Sequence, residues 1–72
     1  MTQQPVLTNR ELQIIDLVAQ GHTNTQIGRR LELSPNTIKT HLNRISRRLG
    51  TTSRAHTVAA AIYRGYLKAP AA

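Results

Sequence analysis

The sequence predicts an all-α fold of four helices, on three observations. Thr8, Thr23, Ser34 and Ser53 each stand just before a stretch of helical character, where a side-chain oxygen can accept an orphan backbone N–H. Apolar residues after them recur three and four positions apart, the helical spacing. No segment alternates apolar and polar residues with period two, so no strand is expected. The chain has 72 residues, enough for one domain. A core that small depends on well-specified helices or on a partner.

The first helix opens at Thr8. Thr8 and Glu11 have capping-box spacing, and Leu7 with Leu12 has the spacing of a hydrophobic staple. Leu12, Ile15, Val18 and Ala19 make its inner face, and Gly21 is placed to end it. The second helix is short. Thr23 and Gln26 form another capping box, and Ile27 and Leu31 supply the apolar side. Gly28 lies mid-helix, where glycine costs about 1 kcal/mol against alanine. That position makes sense where another helix crosses closely. The third helix spans 35–49, with Ser34 as cap, Pro35 in the first helical position and a Leu33–Ile38 staple. Only Glu32 and Leu33 separate it from the second helix, which forces a sharp turn of the helix-turn-helix kind. The fourth helix runs from Ser53 towards Gly65 or Tyr66, with Ala55, Val58, Ala59 and Ile62 inward. Residues 7–67 make the domain; 1–6 and 68–72, with Pro5 and Pro70, read as loose ends.

Charge narrows the function. The formal net charge is +7, and the only acids are Glu11, Asp16 and Glu32. Arg29, Arg30, Lys39, Arg44, Arg47, Arg48 and Arg54 face Glu32 alone across the middle of the chain. Such a stripe attracts a polyanion, nucleic acid or an acidic membrane; the plain alternative is a solvated surface, although small domains usually reach solubility with mixed signs. There is no cysteine, and His22, His41 and His56 form no metal-ligand spacing with a carboxylate. Neither a metal, a cofactor nor a small-molecule ligand is expected. No apolar run approaches the roughly 18 residues of a membrane span. Met1 to Pro5 lacks the apolar stretch of a signal peptide, so a soluble, cytoplasmic protein without a membrane partner is expected. An enzyme is not expected, since three scattered acids build no catalytic cleft.

On a helical wheel of the third helix, Ile38, Leu42, Ile45 and Leu49 fall on one narrow stripe, with Leu42 at its centre. Asn36, Lys39, Thr40, Asn43, Arg44 and Arg47 fall on the far side. With the stripe packed inward, the outer face consists of groups that bond phosphates and base edges. Arg and Lys suit guanine, Asn suits adenine, and a Thr methyl meets a thymine methyl. An ordinary solvated helix face would include glutamates paired with the cations, yet no acid lies between Ser34 and Gly50. The helix starts add phosphate-clamp candidates at Thr23, Asn24, Ser34, Asn36 and Thr37, with capping as the main work of Thr23 and Ser34. Arg48 and Arg54 of the basic stripe complete the backbone-contact set. His41, beside the apolar stripe, reads as a partly buried structural histidine rather than a DNA contact.

The run LTNRELQIIDLVAQGHTNTQIGRRLELSPNTIKTHLNRISRRLGTTSR resembles the LuxR-type, or GerE-like, helix-turn-helix domain of bacterial transcription regulators. The resemblance rests on Leu7-Thr8, Arg10-Glu11, Gly21, Thr23-Asn24, Ile27, Leu31, Ser34, Thr37, Lys39, His41, Leu42, Ile45, Leu49-Gly50 and Arg54, and extends from about Leu7 to Leu67. It implies a four-helix domain, a winged-helix-like right-handed bundle without a wing, whose third helix enters the major groove of double-stranded DNA. It implies base contacts from Lys39, Thr40, Asn43 and Arg44, and backbone contacts near Thr23, Asn24, Thr37 and Arg47. It also implies a homodimer on DNA through the fourth helix, whose outer side offers His56, Ala60, Tyr63 and Leu67; the alternative is that these side chains simply cover the surface. Gly28 stands where the family commonly has alanine, Thr57 where it has a small apolar residue, and Asn43 at a site often basic. Many members add an N-terminal receiver or ligand-binding domain, so the chain reads as either a stand-alone regulator associated with the bacterial nucleoid or an output domain. Two other readings stay beside this one. A sigma-factor-like promoter-reading domain would contact RNA polymerase as well as DNA. A pure dimerisation module would carry the charge incidentally.

Overall fold

The computed structural model describes residues 7–68. Four helices make it up, and no strand occurs among the described residues. The expected loose ends 1–6 and 69–72 lie outside the described residues, and Lys68 is exposed.

Helix α1 spans Asn9–Ala19. The Thr8 hydroxyl accepts the Glu11 N–H at 3.1 Å, and the Glu11 carboxylate accepts the Thr8 N–H at 2.9 Å. The expected capping box is therefore closed on both sides. Gly21, at φ +95°, lets the chain leave the helix: the N–H groups of Gly21 and His22 turn back onto the carbonyls of Val18 and Leu17 at 3.0 and 3.1 Å. The inward face is Glu11, Ile14, Ile15 and Val18, not the expected Leu12, Ile15, Val18 and Ala19. Leu12 is only partly buried and Ala19 is exposed. Ile14 joins Ile15 inside because the inner stripe of α1 is wide enough to hold adjacent residues.

Helices α2 (Asn24–Leu31) and α3 (Pro35–Leu49) are joined by Glu32, Leu33 and the cap Ser34. Glu32 takes a left-handed conformation, φ 59° and ψ 41°. For a residue with a Cβ that costs about 1 kcal/mol. The turn is held by the Leu33 N–H, which donates to the Gly28 carbonyl at 2.8 Å. A Cβ on Gly28 would stand 2.3 Å from the Leu33 carbonyl oxygen. The glycine is thus required by the backbone of the turn folding over it, not by a crossing helix as expected.

Helix α4 spans Arg54–Tyr63, capped by the Ser53 hydroxyl, which accepts the His56 N–H at 3.0 Å. Its phase differs from expectation. Thr57 and Ala61 are its buried residues, whereas Ala55 and Ala59, expected inward, are exposed. Thr57 is tolerated inside because its hydroxyl donates to the Ser53 carbonyl at 2.7 Å and shares a 2.6 Å bond with the Thr51 hydroxyl.

The core consists of Leu7, Ile14, Ile15, Val18, Ile27, Ile38, Ile45, Leu49 and Ala61. Each large aliphatic chain so buried contributes about 1.5–3 kcal/mol relative to exposure. Helix α3 packs on each of the other three helices, so its orientation is fixed from three directions. Leu42, expected at the centre of the α3 stripe, is only half-buried; Ile38 and Ile45 are fully enclosed. One ion pair pins α3 to α1: the Arg48 guanidinium meets the Glu11 carboxylate, which is itself 3% exposed.

Candidate nucleic-acid interface

With Ile38, Ile45 and Leu49 turned into the core and Leu42 half-buried beside them, the opposite face of α3 meets solvent. Asn36, Lys39, Thr40, Asn43, Arg44 and Arg47 are all exposed, as the wheel required. Lys39, Asn43 and Arg47 are successive four-residue steps along one ridge, with Asn36, Thr40 and Arg44 on the neighbouring one. The Thr40 hydroxyl donates its hydrogen to the Asn36 carbonyl at 3.0 Å, which leaves its acceptor lone pairs and its methyl for a partner. The result is a helix about 22 Å long by its rise per residue, bearing donors and no carboxylate.

The helix starts flank this face. Thr23 caps α2 in a closed box with Gln26: the Thr23 N–H donates to the Gln26 side-chain oxygen at 2.9 Å, and the Gln26 N–H donates to the Thr23 hydroxyl at 3.2 Å. Ser34 accepts the Thr37 N–H at 3.1 Å, and the two hydroxyls share a bond of 2.9 Å. Both capping hydroxyls are therefore committed to the helices they begin, as anticipated. The first-turn N–H groups of α2 and α3 that no cap uses remain available to an anion, and the dipole of each helix favours it there.

An open depression of about 210 Å³ brings the groups together: Asn24, Lys39, Asn43, Ser46, Ser53 and Arg54 line it. Candidates for backbone contact and for base contact, drawn from three helices, thus share one concavity. A second depression, of about 300 Å³, is lined by Arg44, Arg47 and Arg48. Beyond the capping hydroxyls, the two arginines that complete the expected backbone-contact set are also engaged within the protein. Arg48 is tied to Glu11. Arg54 donates to the Asn24 side-chain oxygen at 2.8 Å and to the His22 carbonyl at 2.9 Å. Neither pairing was legible from the basic stripe. His41 is half-buried, with its Nδ1 shielded and without a hydrogen-bond partner, as expected of a side chain beside the apolar stripe.

The α4 candidates divide. His56 is exposed and Tyr63 is 92% exposed, the one large hydrophobic side chain so placed among the described residues. Ala60 and Leu67 are partly buried against the core. The exposed surface of α4 is instead continued by Ala55 and Ala59. No helix among the described residues is long and apolar enough to cross a membrane.

Comparison with known proteins gives this surface its context. A family model described as bacterial regulatory proteins, luxR family, matches residues 5–61. The chain is 32% identical over 63 residues to the transcriptional regulatory protein DegU of Brevibacillus brevis, covering 88% of the chain and 27% of DegU. It is 42% identical over 57 residues to the transcriptional regulatory protein LiaR of Bacillus subtilis, covering 79% of the chain and 26% of LiaR. It is 38% identical over 58 residues to the probable transcriptional regulatory protein NarL of Mycobacterium tuberculosis, covering 81% of the chain and 27% of that protein. The chain therefore spans about a quarter of the length of these relatives. No solved structure matches it significantly. The match runs from the segment before the α1 cap through the buried Ala61 of α4, so the chain belongs to the luxR family of bacterial regulatory proteins, a family of DNA-binding regulators and not of enzymes.

Proposed function

We propose that the chain is a sequence-specific double-stranded DNA-binding regulator of transcription, or the output domain of one, working in the bacterial cytoplasm. Helix α3 lies in the major groove, whose width of about 12 Å accepts a helix. The observation that carries this reading is the exposed, acid-free face formed by Lys39, Thr40, Asn43, Arg44 and Arg47 on a helix whose other side is locked into the core. Lys39, Thr40, Asn43 and Arg44 read base edges, while Asn24, Asn36, Arg47 and the first turns of α2 and α3 hold phosphates. The names of the relatives, all transcriptional regulatory proteins, support the same function.

On DNA the domain pairs through α4. His56, Ala59 and Tyr63 form the contact, bordered by Ala60 and Leu67. Stable interfaces usually bury more than about 1,000 Å² in total, and one short helix per subunit does not reach that. Pairing in free solution is accordingly weak, and it becomes firm when two recognition helices hold the subunits side by side on half-sites one helical turn apart. Selection of bound sequences from a random duplex pool tests the function directly. A two-fold symmetric consensus is expected; recovery of unselected sequence would remove the claim of specificity.

A further inference from the structure

Arg54 stands at the first position of α4, yet both of its described hydrogen bonds reach back to the start of α2, thirty and more residues earlier. One guanidinium nitrogen donates to the Asn24 side-chain oxygen at 2.8 Å, and the other donates to the His22 carbonyl at 2.9 Å. Asn24 is the first residue of α2, and it lines the same depression as Lys39 and Asn43. A primary amide has one acceptor end and one donor end. Arg54 occupies the acceptor end. The Asn24 amide hydrogens meet no protein acceptor among the described residues, so the donor end is what the side chain has left to offer.

A DNA phosphate is an acceptor only, so an asparagine serves it only with the amide nitrogen forward. We propose that Arg54 is a positioning residue: it fixes the Asn24 amide donor-outward for a DNA phosphate, and is not itself the phosphate contact. The guanidinium suits this work because its planar fork satisfies two acceptors at once. The second bond, to the His22 carbonyl, prevents the fork from swinging out towards the phosphate without breaking a contact inside the protein. The arrangement also links α4 to the start of α2, two helices that do not otherwise pack on each other, so the proposed pairing helix and the proposed phosphate clamp are joined through one side chain. This inference rests on the DNA-binding reading.

The experiment measures binding of the 72-residue chain to a labelled mixed-sequence duplex at several salt concentrations, since phosphate contacts do not depend on sequence. Thermal melts by circular dichroism accompany every variant. Arg54→Lys keeps the charge but lacks the fork, and should weaken binding about tenfold, comparable with loss of one charge-assisted bond. Asn24→Ala should weaken it by a similar factor, and the double variant should be little worse than either single one. Asn24→Asp keeps an acceptor for Arg54 and so keeps the fold, but has no donor; it should bind at least as poorly as Asn24→Ala at an unchanged or raised melting temperature. That combination is what a merely structural role would not produce. Wild-type binding by Arg54→Lys, additive losses in the double variant, or wild-type binding by Asn24→Asp would each overturn the proposal. If an Arg54 variant fails to fold, Asn24→Asp alone decides. Failure of the unaltered chain to bind DNA in any salt would instead remove the functional reading beneath it.

Discussion

Substituting Gly28 by alanine sets two effects of known size against each other. In a helix interior alanine is favoured over glycine by about 1 kcal/mol, so propensity alone would raise stability. The position is not open, however. The new methyl would stand 2.3 Å from the Leu33 carbonyl oxygen, and real contacts of this kind essentially never fall below 3.0 Å. The obstacle is backbone, so relief requires the turn to move by at least about 0.7 Å. That turn is already constrained by the left-handed Glu32 and by the Leu33 N–H bond to Gly28 itself. Forcing such a shift costs about 1–3 kcal/mol, which leaves a net loss of up to about 2 kcal/mol, centred on about 1 kcal/mol, after the gain in propensity. A chain this short holds no more than about 5 kcal/mol. At about 4–8 °C for each kcal/mol, the melting temperature should fall by several degrees in circular dichroism. DNA affinity should fall as well under conditions where the variant is fully folded, because the displaced carbonyl immediately precedes the Ser34 cap of α3. A raised melting temperature would refute the argument: it would mean that the turn yields freely and that the close approach determines nothing.

Other outcomes follow from the placement of single side chains. Ile45→Ala empties a fully enclosed position and should cost about 2–5 kcal/mol by denaturant melting, whereas Leu42→Ala, at a half-buried site, should cost clearly less; equal losses would mean that the two faces of α3 are misassigned. Lys39→Ala and Asn43→Ala should each cost about 1–3 kcal/mol on the selected site and less on mixed sequence, while Arg47→Ala should weaken both alike, as read by fluorescence anisotropy. Tyr63→Glu should leave binding to a single half-site unchanged but abolish cooperative occupancy of a two-half-site duplex in sedimentation; retained cooperativity would rule out the α4 contact.

How far the sequence could be read depends on the distance over which each interaction acts. All four caps were legible because a hydroxyl and the N–H it accepts lie three residues apart, a separation any sequence displays. The turn between α2 and α3 was legible for the same reason, but the residue that Gly28 makes room for was not. A glycine announces a close approach without saying whether helix or turn approaches. Helix α4 exposes a different limit. Four of its ten residues are alanines, Ala55 and the run 59–61, and alanine is equally at home inside and outside, so hydropathy gave the helix only a weakly preferred face. The phase was set instead by the buried hydroxyls of Thr51 and Thr57, a polar contact that no apolar pattern encodes.

The same limit applies to the interface, and there it has a measurable consequence. The exposed ridge of α3 was legible because a wheel needs only local geometry. The partners of Arg48 and Arg54 were not, because Glu11 lies 37 residues from the first and Asn24 lies 30 from the second. Read along the sequence, Lys39, Arg44, Arg47, Arg48 and Arg54 are five equivalent cations, and at about −0.9 for each neutralised phosphate they imply a slope of about −4.5 in log K against log salt. In the fold, Arg48 faces a carboxylate and Arg54 holds two acceptors of the protein, which leaves Lys39, Arg44 and Arg47 to displace counterions. Three contacts imply a slope nearer −2.7 for a single bound domain. Titration of a one-half-site duplex from low to moderate salt separates the two values. A slope near −4.5 would mean that Arg48 and Arg54 abandon their internal partners on DNA, and a slope near zero would mean that the basic face does not bind phosphate at all.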